Sequence, residues 1–284
     1  MARVVHISDL HFGRTRSELL RPLIALLNGT GADLIAISGD LTQRARSSQF
    51  RAARTFIERL EAPVLVVPGN HDVPLDDIFT RFLYPFRRFR KYISHELEPH
   101  FENDEITVTG MNTVNPYAWQ RGRVGGRALR RVCAAFAAES GPESGPGSGT
   151  GGGRVRIVVA HHPFEHQPTD TKVLMKGAEK AVNALADCGA DVILTGHLHS
   201  WRAEPFAERV GRRGALQVHA GTGLSTRLRG EENDFNVLTI HPGEIAVDRY
   251  AAGHGAETFR QVQRAVFRSG PQGWTAISGD TMPA

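Results

Sequence analysis

Acidic, amide and imidazole side chains follow five short apolar segments of this chain, at the point where each segment ends. Segments that are apolar at every position are typical of strands buried on both faces. In an open α/β sheet ligands bind at the ends of such strands, so side chains gathered there can act together. The five motifs are SDLH at 8–11, GD at 39–40, GNHD at 69–72, HHP at 161–163 and GHLH at 196–199.

This mixture of oxygen and nitrogen donors predicts a metal site. Asp and His at alternate positions, as in Asp9 and His11, point the same way from an extended backbone. Carboxylate and imidazole groups together suit Mn, Fe, Co, Ni or Zn, whereas the lack of cysteine in the motifs argues against a structural zinc site. Any one motif alone is typical of a helix cap or a turn, and only the repetition at five strand ends indicates a site.

The elements that would position these side chains alternate between strand and helix. Strands are predicted at 3–8, 33–38, 63–68, 154–160, 191–195 and 215–220. Helices are predicted at 17–31, where Pro22 indicates a late start or a kink, at 47–62 after a serine cap, and at 175–189. The alternation favours an α/β fold with a largely parallel central sheet and helices outside it.

The motifs SDLHFG, SGDLT, VPGNHD, AHHP and TGHLHS together resemble those of the calcineurin-like metallophosphoesterase superfamily, over most of residues 3–250. The resemblance implies a four-layer αββα sandwich, in which two mixed β-sheets are flanked by helices, with a dinuclear metal centre at the strand ends. The compact chain with an intact GNHD motif is most similar to the class III cyclic nucleotide phosphodiesterases. Purple acid phosphatases have a tyrosine where this chain has Gln43, so we expect no ferric tyrosinate.

The resemblance also assigns a role to each motif residue. His71 would be the catalytic histidine and Asp72 its orienting partner, while His162 would lie behind the ligands. The cofactors would be two divalent metal ions, drawn from Mn, Fe, Zn or Co. The implied metal ligands are Asp9, His11 and His199 for one ion, Asn70, His161 and His197 for the other, and Asp40 as a bridge between them.

Two metal ions about 3.5–4 Å apart can share a hydroxide that attacks phosphorus in line, while His71 protonates the leaving oxygen or stabilises the developing charge. The expected function is hydrolysis of phosphodiester bonds in a small phosphate ester, with cyclic nucleotides as one candidate. Alternatives are a phosphomonoesterase or a nucleotide pyrophosphatase acting on another small or lipid-linked phosphate. A non-catalytic binding scaffold is an alternative of another class, which the complete ligand set disfavours. Arg227 or Arg229 is either a solvated loop residue or a contact to the phosphate.

Length and composition frame these expectations. The chain has 284 residues, a formal net charge of +4 and 40% hydrophobic residues, which is ordinary for a globular domain. We assign 1–250 to a metallophosphoesterase domain with a flexible Gly/Ser/Pro-rich loop at 139–153, and 251–284 to a C-terminal extension of unknown role. We find no transmembrane run or signal peptide and interpret Cys133 and Cys188 as reduced thiols, so we expect a cytoplasmic protein.

Residues 80–101 alternate arginines with aromatic side chains. The simplest interpretation is an amphipathic helix that packs its aromatics on the core and leaves its arginines in water. The alternatives are contact with an anionic substrate, a lipid surface or a nucleic-acid strand. We expect neither nucleic acid nor a membrane as a partner, although this segment leaves membrane contact open, and the sequence does not predict the oligomeric state.

Overall fold

The structure, a computed structural model, describes residues 1–139, 153–167, 170, 172–206, 213–228 and 230–281. The loop predicted at 139–153 therefore lies almost wholly outside the described residues. Helices and strands alternate at first, and the later elements are all strands. The helices are α1 (Leu20–Gly29), α2 (Ser47–Ile57), α3 (Ile78–Leu83), α4 (Arg87–Tyr92), α5 (Gly126–Glu139) and α6 (Ala178–Asp187). The strands are β1 (Ala2–Ile7), β2 (Leu34–Ile37), β3 (Val64–Val66), β4 (His100–Glu102), β5 (Ile106–Met111), β6 (Val155–Ala160), β7 (Val192–Thr195), β8 (Arg202–Pro205), β9 (Leu216–His219), β10 (Asn233–His241), β11 (Glu244–Ala252), β12 (Arg260–Gly270) and β13 (Gly273–Thr281).

Among the residues that the structure describes, the strands form two mixed sheets. The first has seven strands in the order β13-β12-β11-β10-β1-β2-β3, with β1, β2 and β3 parallel and the remaining pairs antiparallel. The second has six strands in the order β4-β5-β6-β7-β9-β8, parallel from β5 to β9 and antiparallel at both edges. The predicted α/β sandwich of two mixed sheets flanked by helices is confirmed, although the sequence pattern by itself favoured a single central sheet.

Three apolar clusters separate the four layers and explain why the strands are apolar on both faces. On β1, Val4 packs between the sheets, where Leu34 and Val159 also lie. The next residue, Val5, faces the helix layer that contains Leu23. A third cluster fixes α5 and α6 to the outer face of the second sheet. Strands with helices on one side and another sheet on the other have no solvent face, so they carry no polar alternation.

Pro22 lies in the first turn of α1, which begins at Leu20. Backbone N–H groups in the first turn have no partner within the helix, so a proline costs little there. A short 3₁₀ turn at Ser17–Leu19 precedes the helix. The late start predicted from Pro22 is therefore what the structure shows.

Residues 80–101 form two short helices, with Pro85 between them, and the edge strand β4. The amphipathic interpretation holds for α4, where Phe89 is buried and its ring meets that of Phe50 at 6.3 Å. It does not hold for α3, where Phe82 is exposed, as is Tyr84 just after the helix. Beyond Ala251, where the sequence carried no interpretable signal, β12 and β13 extend the first sheet.

Cys133 and Cys188 form a disulfide, so the interpretation of both as reduced thiols is wrong. The sequence shows only that the two residues lie 55 positions apart, whereas the packing of α5 beside α6 brings their Cα atoms to 5.3 Å. The cytoplasmic location, which rested in part on those thiols, stays a prediction. No helix in the described part of the chain combines the length and apolar composition that crossing a membrane requires.

Candidate metal centre

The backbone at the candidate ligands adopts a conformation that side chains normally avoid. Six non-glycine residues of the described chain have positive φ, and five of them are candidate ligands. Left-handed backbone of this kind costs free energy and persists where the surrounding structure enforces it, often at functional sites. The five are Asp9 (52°), His11 (48°), Asp40 (52°), His197 (71°) and His199 (64°).

Three of the predicted ligands of one ion converge at the end of β1. The Nε2 atoms of His11 and His199 lie 3.3 Å apart. Asp9 Oδ1 lies 3.4 Å from the first of these nitrogens and 3.1 Å from the second. Ligand atoms around an ion with bonds of about 2.0–2.2 Å are separated by roughly 3.0–3.5 Å. The spacing of the three donors therefore fits a single metal ion.

The predicted ligands of the second ion converge beside the first group. His161 Nε2 lies 3.2 Å from Asn70 Oδ1 and 3.2 Å from His197 Nδ1. Asp40 Oδ2 lies 3.4 Å from His161 Nε2 and 3.9 Å from His11 Nε2, so this carboxylate stands between the two groups. The geometry agrees with Asp40 as the bridging ligand.

Backbone carbonyls fix the orientation of the candidate ligand rings. His161 Nδ1 donates to the Ser38 carbonyl at 2.8 Å, and His199 Nδ1 donates to the Arg227 carbonyl at 3.1 Å. Each ring is thereby left with its Nε2 lone pair directed at the centre, as metal-bound histidines require. Asp9 Oδ1, which faces the Nε2 atoms of His11 and His199, is buried without a hydrogen-bond partner. A buried acceptor in this state costs free energy that a cation would offset, so the donor set fits metal ions.

The charges at the centre are strongly coupled. Burial favours the neutral His161 ring, but the Asp40 carboxylate beside it prevails and raises the pKa of His161 to about 9. Burial likewise opposes ionisation of Asp40, yet the His161 and His71 charges hold the pKa of Asp40 well below its ordinary value. Burial lowers the pKa of His197 far below its usual range. Without metal the His161 ring is therefore protonated at neutral pH and the His197 ring is neutral, so a metal ion that binds Nε2 of His161 would displace its proton.

His162 is held apart from the centre by its own partners. Its Nδ1 pairs with Thr113 Oγ1 at 2.8 Å, and its Nε2 donates to the Gln120 carbonyl at 3.0 Å. Its ring packs against the His197 ring, with centroids 4.6 Å apart. Because both of its ring nitrogens make hydrogen bonds, His162 has no free lone pair for a metal ion. This agrees with the choice of His161 as the ligand.

His71 lies at the edge of the first group, with one ring nitrogen within 4.8 Å of donor atoms of His11 and Asp40. Its ring meets that of His11 edge-on at 4.8 Å, and its Nδ1 donates to the Gln43 carbonyl at 2.9 Å. Its Nε2 therefore accepts a hydrogen bond from Arg227 Nη1 at 3.4 Å. Burial lowers the pKa of His71, although the Asp40 charge partly opposes that effect.

Asp72 does not orient His71, contrary to the expectation from the sequence. Its carboxylate accepts hydrogen bonds from the backbone of Leu41, Thr42 and Gly69. It therefore connects the loop after β2, which contains the GD motif (the GD loop), to the loop after β3, which contains the GNHD motif. The carbonyl of Gln43 orients the His71 ring instead. Burial and the nearby Asp40 charge raise the pKa of Asp72 to about 6.

Two cations lie at the edges of the centre. Arg227, which the sequence left as one of two candidates, contacts His71, and its alternative Arg229 lies outside the described residues. Lys172, which the sequence analysis missed, donates from Nζ to the His197 carbonyl. No motif surrounds Lys172 in the sequence, so only the fold could have placed it here.

Comparisons with known proteins agree with this centre. A sequence profile described as calcineurin-like phosphoesterase matches residues 2–201, more than half of the chain. Glycerophosphodiester phosphodiesterase GpdQ from Enterobacter lignolyticus (strain SCF1) is 31% identical over 80 residues, which cover 24% of this chain and 29% of that protein. A "Probable cyclic nucleotide phosphodiesterase" from Ruthia magnifica subsp. Calyptogena magnifica is 27% identical over 97 residues, covering 31% of this chain and 42% of that protein. The matches span less than half the length of these relatives.

The fold is also similar to that of a solved structure, purple acid phosphatase PPD1 from yellow lupin (Lupinus luteus) seeds. The TM-score is 0.64 at 14% identity, and the alignment covers 92% of this chain and 52% of that one. At such identity the likeness concerns the fold alone. The profile match contains all five motifs, and the structure brings their side chains together at the strand ends of the two sheets. The chain belongs to the calcineurin-like phosphoesterase family.

Proposed function

We propose that the chain is a dinuclear metal-dependent phosphoesterase that hydrolyses phosphodiester bonds. The observation that carries the proposal is the position of Asp40, whose Oδ2 lies within 4 Å of donor atoms from both ligand groups. One carboxylate shared by two converging donor sets is the arrangement that a two-metal phosphoesterase needs. The phosphodiesterase names of the sequence relatives support a diester substrate, and cyclic nucleotides are the first candidates.

The residues of the chain would bind the ions in two groups that share Asp40. When bound, the two ions would supply positive charge to a phosphate oxygen and lower the pKa of a water molecule that they share. The ligands of one ion would be Asp9, His11, His199 and Asp40, and those of the other would be Asn70, His161, His197 and Asp40. Mn, Fe, Zn and Co all accept this mixture of donors.

Arg227 and Lys172 would hold the phosphate from opposite sides. Arg227 contacts His71 near the first group, and Lys172 contacts His197 in the second. A phosphodiester is an anion, and two cations at the edges of a buried centre attract and orient it. The mildly basic composition of the chain is compatible with such a substrate.

His71 would act on the leaving oxygen. Its Nδ1 is committed to the Gln43 carbonyl, so only Nε2 can carry a proton toward the substrate. The pKa of His71 is lowered by burial, and a bound anionic phosphate would raise it again. Histidine in this position can donate a proton to the leaving alkoxide or stabilise its charge.

Hydrolysis of bis(p-nitrophenyl) phosphate by protein reconstituted with Mn²⁺ tests the proposal. We expect hydrolysis that disappears in Asp40→Ala and persists in Asp104→Ala, which removes an exposed carboxylate elsewhere. A wild-type protein that binds two ions and hydrolyses neither this ester nor the corresponding monoester would be a scaffold, and the proposal would fail. A screen of cyclic nucleotides, nucleotide diphosphates and glycerophosphodiesters then identifies the substrate class.

A further inference from the structure

Exposed apolar side chains gather on one part of the surface. Within the described ranges ten large hydrophobic side chains are exposed, and eight of them lie on three segments. We call these segments the rim patch: residues 78–84, which include α3, residues 117–119, and Val173. Phe79 is 71% exposed and Tyr117 is 77% exposed. Single exposed hydrophobic residues are ordinary, whereas a contiguous group marks an interaction surface.

Contacts between the segments make the rim patch one surface. The rings of Phe82 and Tyr117 stack at 5.5 Å with an interplanar angle of 16°. Arg81 is buried and donates to the carbonyls of Pro74 at 3.1 Å and Ala118 at 2.6 Å, which links α3 to the second segment. The third segment joins through the loop, because Arg121 Nε donates to the Leu174 carbonyl at 3.0 Å.

The rim patch borders the candidate metal centre. The residue after Trp119 is Gln120, whose carbonyl accepts from His162 Nε2 at 3.0 Å. The His162 ring in turn contacts the His197 ring. On the other side α3 begins six residues after Asp72. The exposed apolar side chains therefore stand at the edge of the centre, on the side of the second ligand group.

The surroundings of the rim patch are basic. Residues 78–95 and 115–138 contain ten lysines and arginines and no acidic residue, and of the two aspartates just before α3, Asp76 and Asp77, the second pairs with Arg88 at 3.6 Å. Arg87, Arg90, Arg121 and Arg123 among them are exposed. A second copy of the chain docked through the same patch would bring arginines against arginines, which is unfavourable. An anionic partner with an apolar interior satisfies both the charge and the apolar side chains.

We propose that the rim patch docks the protein on an anionic phospholipid surface. Tyrosine and tryptophan settle at the level of lipid headgroups, aliphatic side chains insert below them, and arginines bind the phosphates. Nucleic acid is a poorer fit, since Ile78, Leu83 and Val173 are aliphatic and cannot stack on bases. The inference does not depend on the proposed hydrolase activity, and it would place the mouth of the centre against the membrane.

Sedimentation with vesicles tests the proposal. We expect binding to vesicles of phosphatidylcholine and phosphatidylglycerol in equal parts, and far weaker binding to phosphatidylcholine alone or in high salt. The double variant Phe79→Ser, Leu83→Ser should bind at least about tenfold more weakly, because two inserted side chains are lost. The matched control is Ile277→Ser, whose side chain is exposed on β13, away from the patch.

A charge-reversal pair tests the electrostatic part of the docking separately. Arg87→Glu, Arg90→Glu should lose binding to the anionic vesicles, and Arg260→Glu on β12 should retain it. The proposal is overturned if the wild-type protein stays in the supernatant, or if Ile277→Ser weakens binding as much as the patch variant. It is also overturned if Phe79→Ser, Leu83→Ser instead dissolves a dimer or abolishes oligonucleotide binding while vesicle binding is unchanged.

Discussion

Gly69→Ala should disable the candidate centre although it replaces no ligand. The φ of Gly69 is −107°, which any residue adopts, so backbone strain does not explain the glycine. A glycine is needed at position 69 because the GD loop packs directly against its Cα. A Cβ at position 69 would lie 2.2 Å from Asp40 Oδ1 and 2.3 Å from the Asp40 backbone nitrogen. Ordinary contacts begin at 3.4 Å, so one of the two loops has to move by about 1 Å.

Neither loop can move by this distance without changing hydrogen bonds at the centre. Asp40 Oδ1 accepts from the His71 backbone at 2.7 Å, and the Asp40 carbonyl accepts from the His11 backbone at 3.0 Å. Displacing Asp40 therefore disturbs the shared ligand and its neighbours together. A misplacement of about 1 Å at a reacting centre costs about 10²-fold in rate, and we expect a loss of that order in kcat/KM with weaker binding of both ions.

Metal content by elemental analysis and hydrolysis of bis(p-nitrophenyl) phosphate measure the effect, below the unfolding temperature of each variant. The control is Gly29→Ala, because a Cβ there meets no atom within 4 Å. It should keep full metal content and rate and gain slightly in stability, since Ala orders a helix end better than Gly. A Gly69→Ala protein with two ions and a rate within twofold of wild type would refute the close-approach reasoning.

Three further predictions concern catalysis, metal and pH. His71→Ala should keep both ions and lose about 10²–10⁴ in kcat on diesters with poor leaving groups. The loss should be smaller on p-nitrophenyl esters, whose leaving group needs little protonation. Equal losses on both would indicate charge stabilisation instead of acid catalysis. Chelation should abolish hydrolysis and Mn²⁺ should restore it, whereas full activity in verified metal-free protein would contradict the centre. Burial lowers the pKa of His219 to about 3, so its stabilising contribution is present above the unfolded pKa of about 6.5 and is lost as pH falls toward 3. In the wild-type protein the free energy of unfolding should therefore fall as the pH drops below 6. In His219→Asn this fall should be smaller by about 1.4 kcal/mol per pH unit, as measured by urea titrations at several pH values. An unchanged slope would contradict the burial argument.

The candidate ligands were predictable because each belongs to a short motif attached to its own strand. Asp9 and His11 are fixed by a few residues around the end of β1, and the same holds for Asn70 after β3. Parallel strands bring their carboxyl ends to one edge without any further information. The distance from His161 Nε2 to Asn70 Oδ1 needs more than strand order, because His161 follows β6 of the second sheet and Asn70 follows β3 of the first, so the two sheets must pack together to bring them close.

What the sequence did not predict depends on packing between distant elements. The Cys133–Cys188 disulfide requires α5 and α6 to lie side by side, which no local pattern encodes. The error on Asp72 has a similar origin, because two of its three backbone partners, Leu41 and Thr42, come from the loop after β2 rather than from its own motif. The sequence did not predict that α3 is exposed, because α3 and α4 both combine basic and aromatic residues. Only the fold decides that the aromatic side chain of α4 is buried and that of α3 is not.

The two sheets share the candidate centre in a way that neither could provide alone. The first sheet supplies Asp9, His11, Asp40 and Asn70, and the second supplies His161, His197 and His199. Each ligand group nevertheless takes members from both, because His199 joins the first group and Asp40 joins the second. A slip of one sheet over the other would therefore separate the donors of both ions at once. The apolar layer between the sheets opposes such a slip, while hydrogen bonds between the loops, such as that from the His11 backbone to the Asp40 carbonyl, fix the ligand backbones themselves.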